Sequence, residues 1–102
     1  MADVPTARLL DSARRASRLL KSMSNPHRLA ILCLVAERER SVGELGDLIG
    51  LNQSALSQHL ARLRLDRLVR TRRHRQSIYY SLDDEAAQQV METLYKIYCA
   101  PP

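Results

Sequence analysis

The sequence predicts a mainly helical α+β domain, a winged helix-turn-helix with an amphipathic helix at each end. Three observations carry that reading. Apolar residues recur at helical spacing over 6–66 and again over 83–100. A glycine and two capping signals separate two helices by a three-residue turn. Between 69 and 82 the period switches to alternation, as in a two-stranded hairpin.

At 102 residues the chain is expected to be one domain, large enough for a core and small enough to gain from dimerisation. Apolar residues make up 45% of it, so it is globular rather than disordered. It has no Trp or Phe. The core must therefore come from Leu, Ile, Val and Ala, which favours helices.

Residues 6–23 read as an amphipathic helix, with Leu9, Ala13, Ala16, Leu20 and Met23 on one stripe. Ser24-Asn25-Pro26 breaks it, and Pro26 suits the first turn of the next helix, roughly 26–37. That helix is apolar nearly all round and too short to span a membrane, so it should be central and buried. The charged run Glu37-Arg38-Glu39-Arg40 reads as a solvated connector. Ser41-Val42-Gly43-Glu44 matches a capping box, and Leu45, Leu48 and Ile49 should face inward from the short helix it opens. Gly50 ends that helix and Asn52 can cap the next, giving a helix-turn-helix over 41–66.

The helix from Asn52 onward buries Leu56, Leu60 and Leu63 and turns a different face outward. Gln53, Ser54, Ser57, Gln58 and Arg62 lie on or beside that face, with His59 at its flank. A merely solvated face would carry mixed Glu and Lys. Short amide and hydroxyl side chains suit close approach to base edges, where Gln pairs with adenine and Ser with several bases. Seven arginines follow between Arg62 and Arg75 against one acid, Asp66. Over 69–82, Val69, Thr71 and Arg73 oppose Arg70, Arg72 and His74, and Ile78, Tyr80 and Leu82 alternate with Ser77, Tyr79 and Ser81. The tip falls near His74-Arg75-Gln76 without an Asn-Gly type of turn signal. A basic hairpin after such a helix is a wing, with Arg72, Arg73 and Arg75 on phosphates or in a minor groove. The plainer reading is a solubilising edge hairpin. The last helix, 83–100, opens on Asp83, Asp84 and Glu85, as its dipole favours. Val90, Met91, Leu94, Ile97 and Tyr98 form its stripe. The first and last helices can bury their stripes against a second copy of the chain, making a homodimer.

Net charge is +5, and Arg supplies 14 of the 16 basic residues, which favours bidentate phosphate and guanine contacts. A basic balance alone also suits a membrane surface or solubility; the clustering over 62–75 points to double-stranded DNA. The N-terminus has no apolar h-region and no run approaches a membrane span, so the expected location is cytoplasmic, with both cysteines reduced. His27, His59 and His74 form no zinc-hydrolase spacing, no serine sits in a G-x-S-x-G elbow and no Gly-rich phosphate loop exists. The expectation is no enzyme, no cofactor and no resident metal.

Cys33 and Cys99 are left to explain. As isolated residues they read as a small hydrophobe and an incidental exposed thiol, and a functional pair stays open beside that. If they pair, Cys99 is the better first nucleophile, because apolar surroundings should raise the Cys33 thiol.

The order of elements resembles the ArsR/SmtB family of bacterial winged-helix repressors. The motifs are S-V-G-E-L, N-Q-S-A-L-S-Q-H-L-A-R-L-R, L-V-x-T-R-R and I-Y-Y-S-L, within roughly residues 15–99. Within it, I-L-C at 31–33 with L-Y-x-x-Y-C at 94–99 resembles the BigR/SqrR/HlyU-like subgroup, whose members sense reactive sulfur or oxidants. The resemblance implies a homodimer joined through the first and last helices. It also implies that Cys33 and Cys99 form an intrasubunit disulfide or longer sulfur bridge that releases DNA. It argues against a metal sensor: Glu44–Leu48 holds no Cys-x-Cys and 83–100 no His. The arginine-rich wing departs from the subgroup. The rivals are a metal- or metalloid-responsive repressor of the same fold, and a thiol-redox protein that does not bind DNA.

Overall fold

The computed structural model describes residues 4–99 and 101. Five helices and three short strands follow in the order α1 (Thr6–Met23), α2 (Pro26–Glu37), β1 (Arg40–Ser41), α3 (Val42–Ile49), α4 (Gln53–Leu65), β2 (Val69–His74), β3 (Ser77–Leu82) and α5 (Glu85–Tyr98). The mainly helical winged helix-turn-helix expected from the sequence is the fold observed.

Local chemistry sets most helix starts. The Asn25 side chain accepts from the backbone N–H groups of His27 and Arg28 at 2.9 and 3.1 Å, with Pro26 in the first turn. Asn52 accepts from Ala55 N–H at 2.8 Å and Asp84 from Ala87 N–H at 2.8 Å. Ser41 accepts from Glu44 N–H at 3.1 Å, which is half of the capping box. The Glu44 carboxylate completes no box; Arg40 and Arg38 hold it instead, at 2.8 and 2.5 Å.

Two ends need left-handed backbone. Gly50 closes α3 at φ 78°, a conformation only glycine adopts without strain. After α4 the same geometry falls on Arg67, φ 60°. Arg67 N–H donates to Arg64 C=O and Leu68 N–H to Leu63 C=O, both at 3.0 Å, while Leu63 and Leu68 are buried. That is a Schellman closure with arginine where glycine is usual. The Leu63–Leu68 pairing holds the turn despite the side chain.

The sheet corrects two expectations. It has three strands, not two, antiparallel in the order β1-β3-β2. Arg40 lies opposite Tyr80 and Ser41 opposite Tyr79; on the other side Arg72 lies opposite Tyr79 and His74 opposite Ser77. The hairpin therefore turns on two residues, Arg75 and Gln76, with Arg75 at φ 59°. The second correction is within the run 37–40: Glu37 and Arg38 are exposed, as expected of a connector, but Glu39 is half-buried and Arg40 buried. Arg40 is only 9% exposed. Its Nε donates to Leu34 C=O at 3.1 Å and its other nitrogens reach Glu37 at 2.6 Å and Glu44 at 2.8 Å. A buried guanidinium persists only with such complete pairing. It pins the end of α2 to the start of α3.

The core is a single cluster. Ile31, Leu32 and Val35 from α2 meet Leu45 from α3, Leu56, Leu60 and Leu63 from α4, and Tyr80, Ala87 and Met91 from β3 and α5. As expected α2 is central, touching four helices and β3. Its apolar circumference is used unevenly: Leu29, Cys33, Leu34 and Ala36 are only half-buried. The cluster takes little from α1, of which residues 6–18 are exposed.

Candidate nucleic-acid interface and thiol pair

On α4, Leu56, Leu60 and Leu63 face the core and fix the helix's rotation. Gln53, Ser54, Ser57 and Gln58 are thereby left exposed. His59 is turned partly inward, its ring 5.6 Å from that of His27 at the start of α2. Burial, then Arg28, then His27 hold its imidazole below the ordinary histidine value. Arg62 is half-buried and its Nε donates to Asp66 at 2.8 Å. Asp66 also accepts from the buried Ser22 hydroxyl of α1. Burial works to raise the Asp66 carboxyl, but the Ser22 and Arg62 hydrogen bonds outweigh it and hold it below its usual range.

The basic residues of the wing divide into two groups. Arg70 pairs with Asp83 at 3.1 Å. Arg72 grips Glu39 with two parallel bonds, Nε to Oε2 at 2.8 Å and Nη2 to Oε1 at 2.7 Å. Its guanidinium also lies 4.7 Å from the centre of the Tyr79 ring, the residue across the strand. Glu39 in turn accepts from Ser81 Oγ at 3.4 Å, and the Arg72 hydrogen bonds hold its carboxyl below the usual range. Arg73, His74 and Arg75, at the tip, are exposed and form no ion pair among the described residues.

Cys33 lies where α2 meets α5, and Cys99 follows the last residue of α5. Cys33 is half-buried at the wall of a groove of about 370 Å³, with Ala36 and Glu37 on its own helix and Met91, Tyr95 and Lys96 on α5. Burial pushes the Cys33 thiol up, as expected; Glu37 and then Cys99 add to this and Arg40 draws it back. Cys99 is exposed and caps α5, its N–H donating to Tyr95 C=O at 2.8 Å. No group of three or more His, Cys, Asp or Glu among the described residues is placed to hold a metal ion. No helix among the described residues is long and apolar enough to cross a membrane.

Sequence reasoning missed Glu39, Arg40, Tyr79 and His27. The alternating charges of 37–40 were a visible signal of pairing, but the partners of Glu39 and Arg72 lie 33 residues apart. Nothing local identifies them.

Residues 25–71 match the family described as bacterial regulatory protein, arsR family. The chain is 47% identical over 88 residues to the transcriptional activator HlyU of Vibrio cholerae, covering 86% of this chain and 82% of that one. It is 44% identical over 88 residues to the biofilm growth-associated repressor of Xylella fastidiosa, covering 86% and 77%. The solved structure of reduced HlyU from Vibrio cholerae superimposes with a TM-score of 0.89 at 44% identity, covering 91% of this chain and 98% of that one.

Proposed function

Because the chain belongs to the ArsR family of bacterial regulatory proteins and is a transcriptional regulator, we propose that it is a homodimeric repressor of the promoters it occupies, released when Cys33 and Cys99 become bridged. The observation that carries the DNA part is the outward face of α4, whose Gln53, Ser54, Ser57 and Gln58 all stand exposed at the head of the helix. These residues read base edges, with His59 and Arg62 at the flank, while Arg73 and Arg75 at the wing tip engage phosphates.

The dimer reading is supported by Leu9, Leu10 and Leu20 on α1 and Tyr95, Ile97 and Tyr98 on α5, all large, apolar and about half or more exposed. A second copy buries both stripes and sets two α4 helices in adjacent major grooves, ~34–36 Å apart.

The sensing reading is supported by Cys33 lining the groove between α2 and α5, the helix at whose end Cys99 stands exposed. The exposed Cys99 attacks first, taking a sulfane sulfur from a persulfide donor and expelling the donor's thiolate. The Cys33 thiolate then attacks the Cys99 sulfur and displaces hydrosulfide, leaving a disulfide. The donor is the two-electron oxidant; one thiol and one hydrogen sulfide leave. A trisulfide takes a second donor: with both cysteines persulfidated, the outer sulfur of one attacks the inner sulfur of the other and displaces hydrosulfide, leaving one donor sulfur in the bridge. Either bridge ties α2, the central helix under the helix-turn-helix, to the end of α5.

The test is operator binding before and after a sulfane-sulfur donor. Wild type is expected to lose affinity by roughly 5–150-fold, while Cys33→Ser and Cys99→Ser bind like the reduced protein and stay bound. A single mutant that releases as readily as wild type removes the two-cysteine switch. Gln58→Ala is expected to weaken operator binding more than binding to random duplex. Equal losses on both take away the base-reading role of α4.

A further inference from the structure

The wing is the most basic segment of the chain, yet the arginine at its middle already has a partner. Continuing the β1–β3 register one residue back from Arg40–Tyr80 sets Glu39 opposite Ser81, and the Ser81 hydroxyl meets its carboxylate. Arg72 stands one strand further on, opposite Tyr79. The Glu39–Arg72 grip therefore crosses the sheet from β1 to β2 over β3, on the face away from the core. It joins the wing to the segment between α2 and α3, which Arg40 anchors through Leu34, Glu37 and Glu44.

Other placements of the Arg72 side chain give up two charge-assisted hydrogen bonds and the Tyr79 ring together. Free arginines lie immediately beyond, at Arg73 and Arg75. Tyr80 holds β3 to the core, with Ile78 and Leu82 packed beside it, but of β2 only Val69 is buried. The pairing with β1 ends at Tyr79, so the tip beyond it is a two-stranded ribbon, and without the grip on Arg72 its arginines would sample many positions relative to α4.

We infer that Glu39 and Arg72 form a positioning clamp that fixes the wing's angle to the helix-turn-helix, so that Arg73 and Arg75 meet phosphates while Arg72 itself does not. This refines the DNA reading above and rests on it. The clamp explains why an acid is kept beside a DNA-binding surface. Glu39 costs the wing one positive charge and supplies a fixed angle in return.

The decisive variant is Glu39→Gln. It makes the protein one unit more positive, so electrostatics alone calls for tighter DNA binding and a salt slope steeper by about 0.9 if Arg72 were freed onto a phosphate. The clamp calls for the opposite, operator affinity weaker by roughly three- to tenfold with no steepening of the slope. Arg72→Glu should lose at least as much, and the exchange Glu39→Arg with Arg72→Glu should recover wild-type affinity to within about twofold. A merely structural role would shift global unfolding; the clamp instead shifts hydrogen exchange of the wing amides, 70–74 and 77–82, faster in each single variant and restored in the exchange. Tighter or unchanged binding by Glu39→Gln, or a double variant as weak as Arg72→Glu alone, overturns the clamp. The exchange measurement needs no DNA. If wild type bound no duplex the DNA reading would fall, while wing protection unchanged by Glu39→Gln would still sink the clamp by itself.

Discussion

The helix-turn-helix and the two outer helices use the same raw material in opposite ways. In α2, α3 and α4 the apolar stripes largely close on one another, and Ile31, Leu32, Leu45 and Leu63 are essentially without exposure, although Leu48 of α3, expected to face inward, is 56% exposed. In α1 and the second half of α5 the stripes stay open, with Leu20 57% and Ile97 64% exposed. An apolar stripe thus means internal packing in one region and an open surface in the other. The inner region holds α4 at a fixed rotation, so the polar face is decided by the core. The outer region leaves the chain dependent on what covers it, and places the exposed Cys99 at its edge.

Three measurements press on that contrast. The largest effect is expected in the inner region. Leu63 is fully buried and also closes the turn after α4, so Leu63→Ala should cost about 2–5 kcal/mol in denaturant unfolding, at any protein concentration. A loss under about 1 kcal/mol would mean that the cluster is looser than its burial implies.

In the outer region Ile97→Glu should act on association instead. An exposed apolar side chain within one chain contributes little, and its replacement shifts stability by only about 0.5 kcal/mol. At a seam the new carboxylate must be desolvated, which should raise the dimer dissociation constant by roughly tenfold or more in sedimentation. If association is untouched, the open stripe on α5 is not part of a dimer seam.

The smallest effect is a pH dependence that belongs to the inner region alone. His59 is held below its ordinary 6.5 by burial, Arg28 and His27. In the window between the lowered folded value and 6.5, the unfolded chain binds more protons than the folded one. Stability is therefore full above 6.5 and falls as pH drops through that window. His59→Gln should flatten this part of the urea-midpoint profile. Unchanged curvature in the variant would assign the acid sensitivity to the paired carboxylates Glu39, Glu44 and Asp66, which ordinarily titrate lower.

Much of the fold is legible in the sequence because it is written locally. Side chains three and four apart share a helix face, so Leu56, Leu60 and Leu63 announce α4 and its outward residues together. Asn25, Asn52 and Gly50 announce their caps because a cap is a bond to a backbone group a few residues away. Alternation announces the hairpin. The thiol pair is legible only as a resemblance, since 66 positions separate Cys33 from Cys99 in the sequence.

The sequence by itself therefore determined the five helices, the hairpin, and the buried stripe and polar head of α4; it missed β1 and turned Leu48 inward, where the fold leaves it 56% exposed. Tertiary structure alone decided the pairing of charges that lie far apart in the chain. Arg62 meets Asp66 one helical turn on, a pair that local spacing allows, but only folding gives Arg72 its partner Glu39 and leaves Arg73 and Arg75 without an acid among the described residues. Strand register aligns Glu39 with Ser81 and brings it within reach of Arg72, and the ends of α1 and α4 bring Ser22 to Asp66 across 44 residues. The physical reason is range. Backbone propensity and hydrophobic period act over a turn or two, whereas an ion pair forms wherever folding brings opposite charges within about 4 Å.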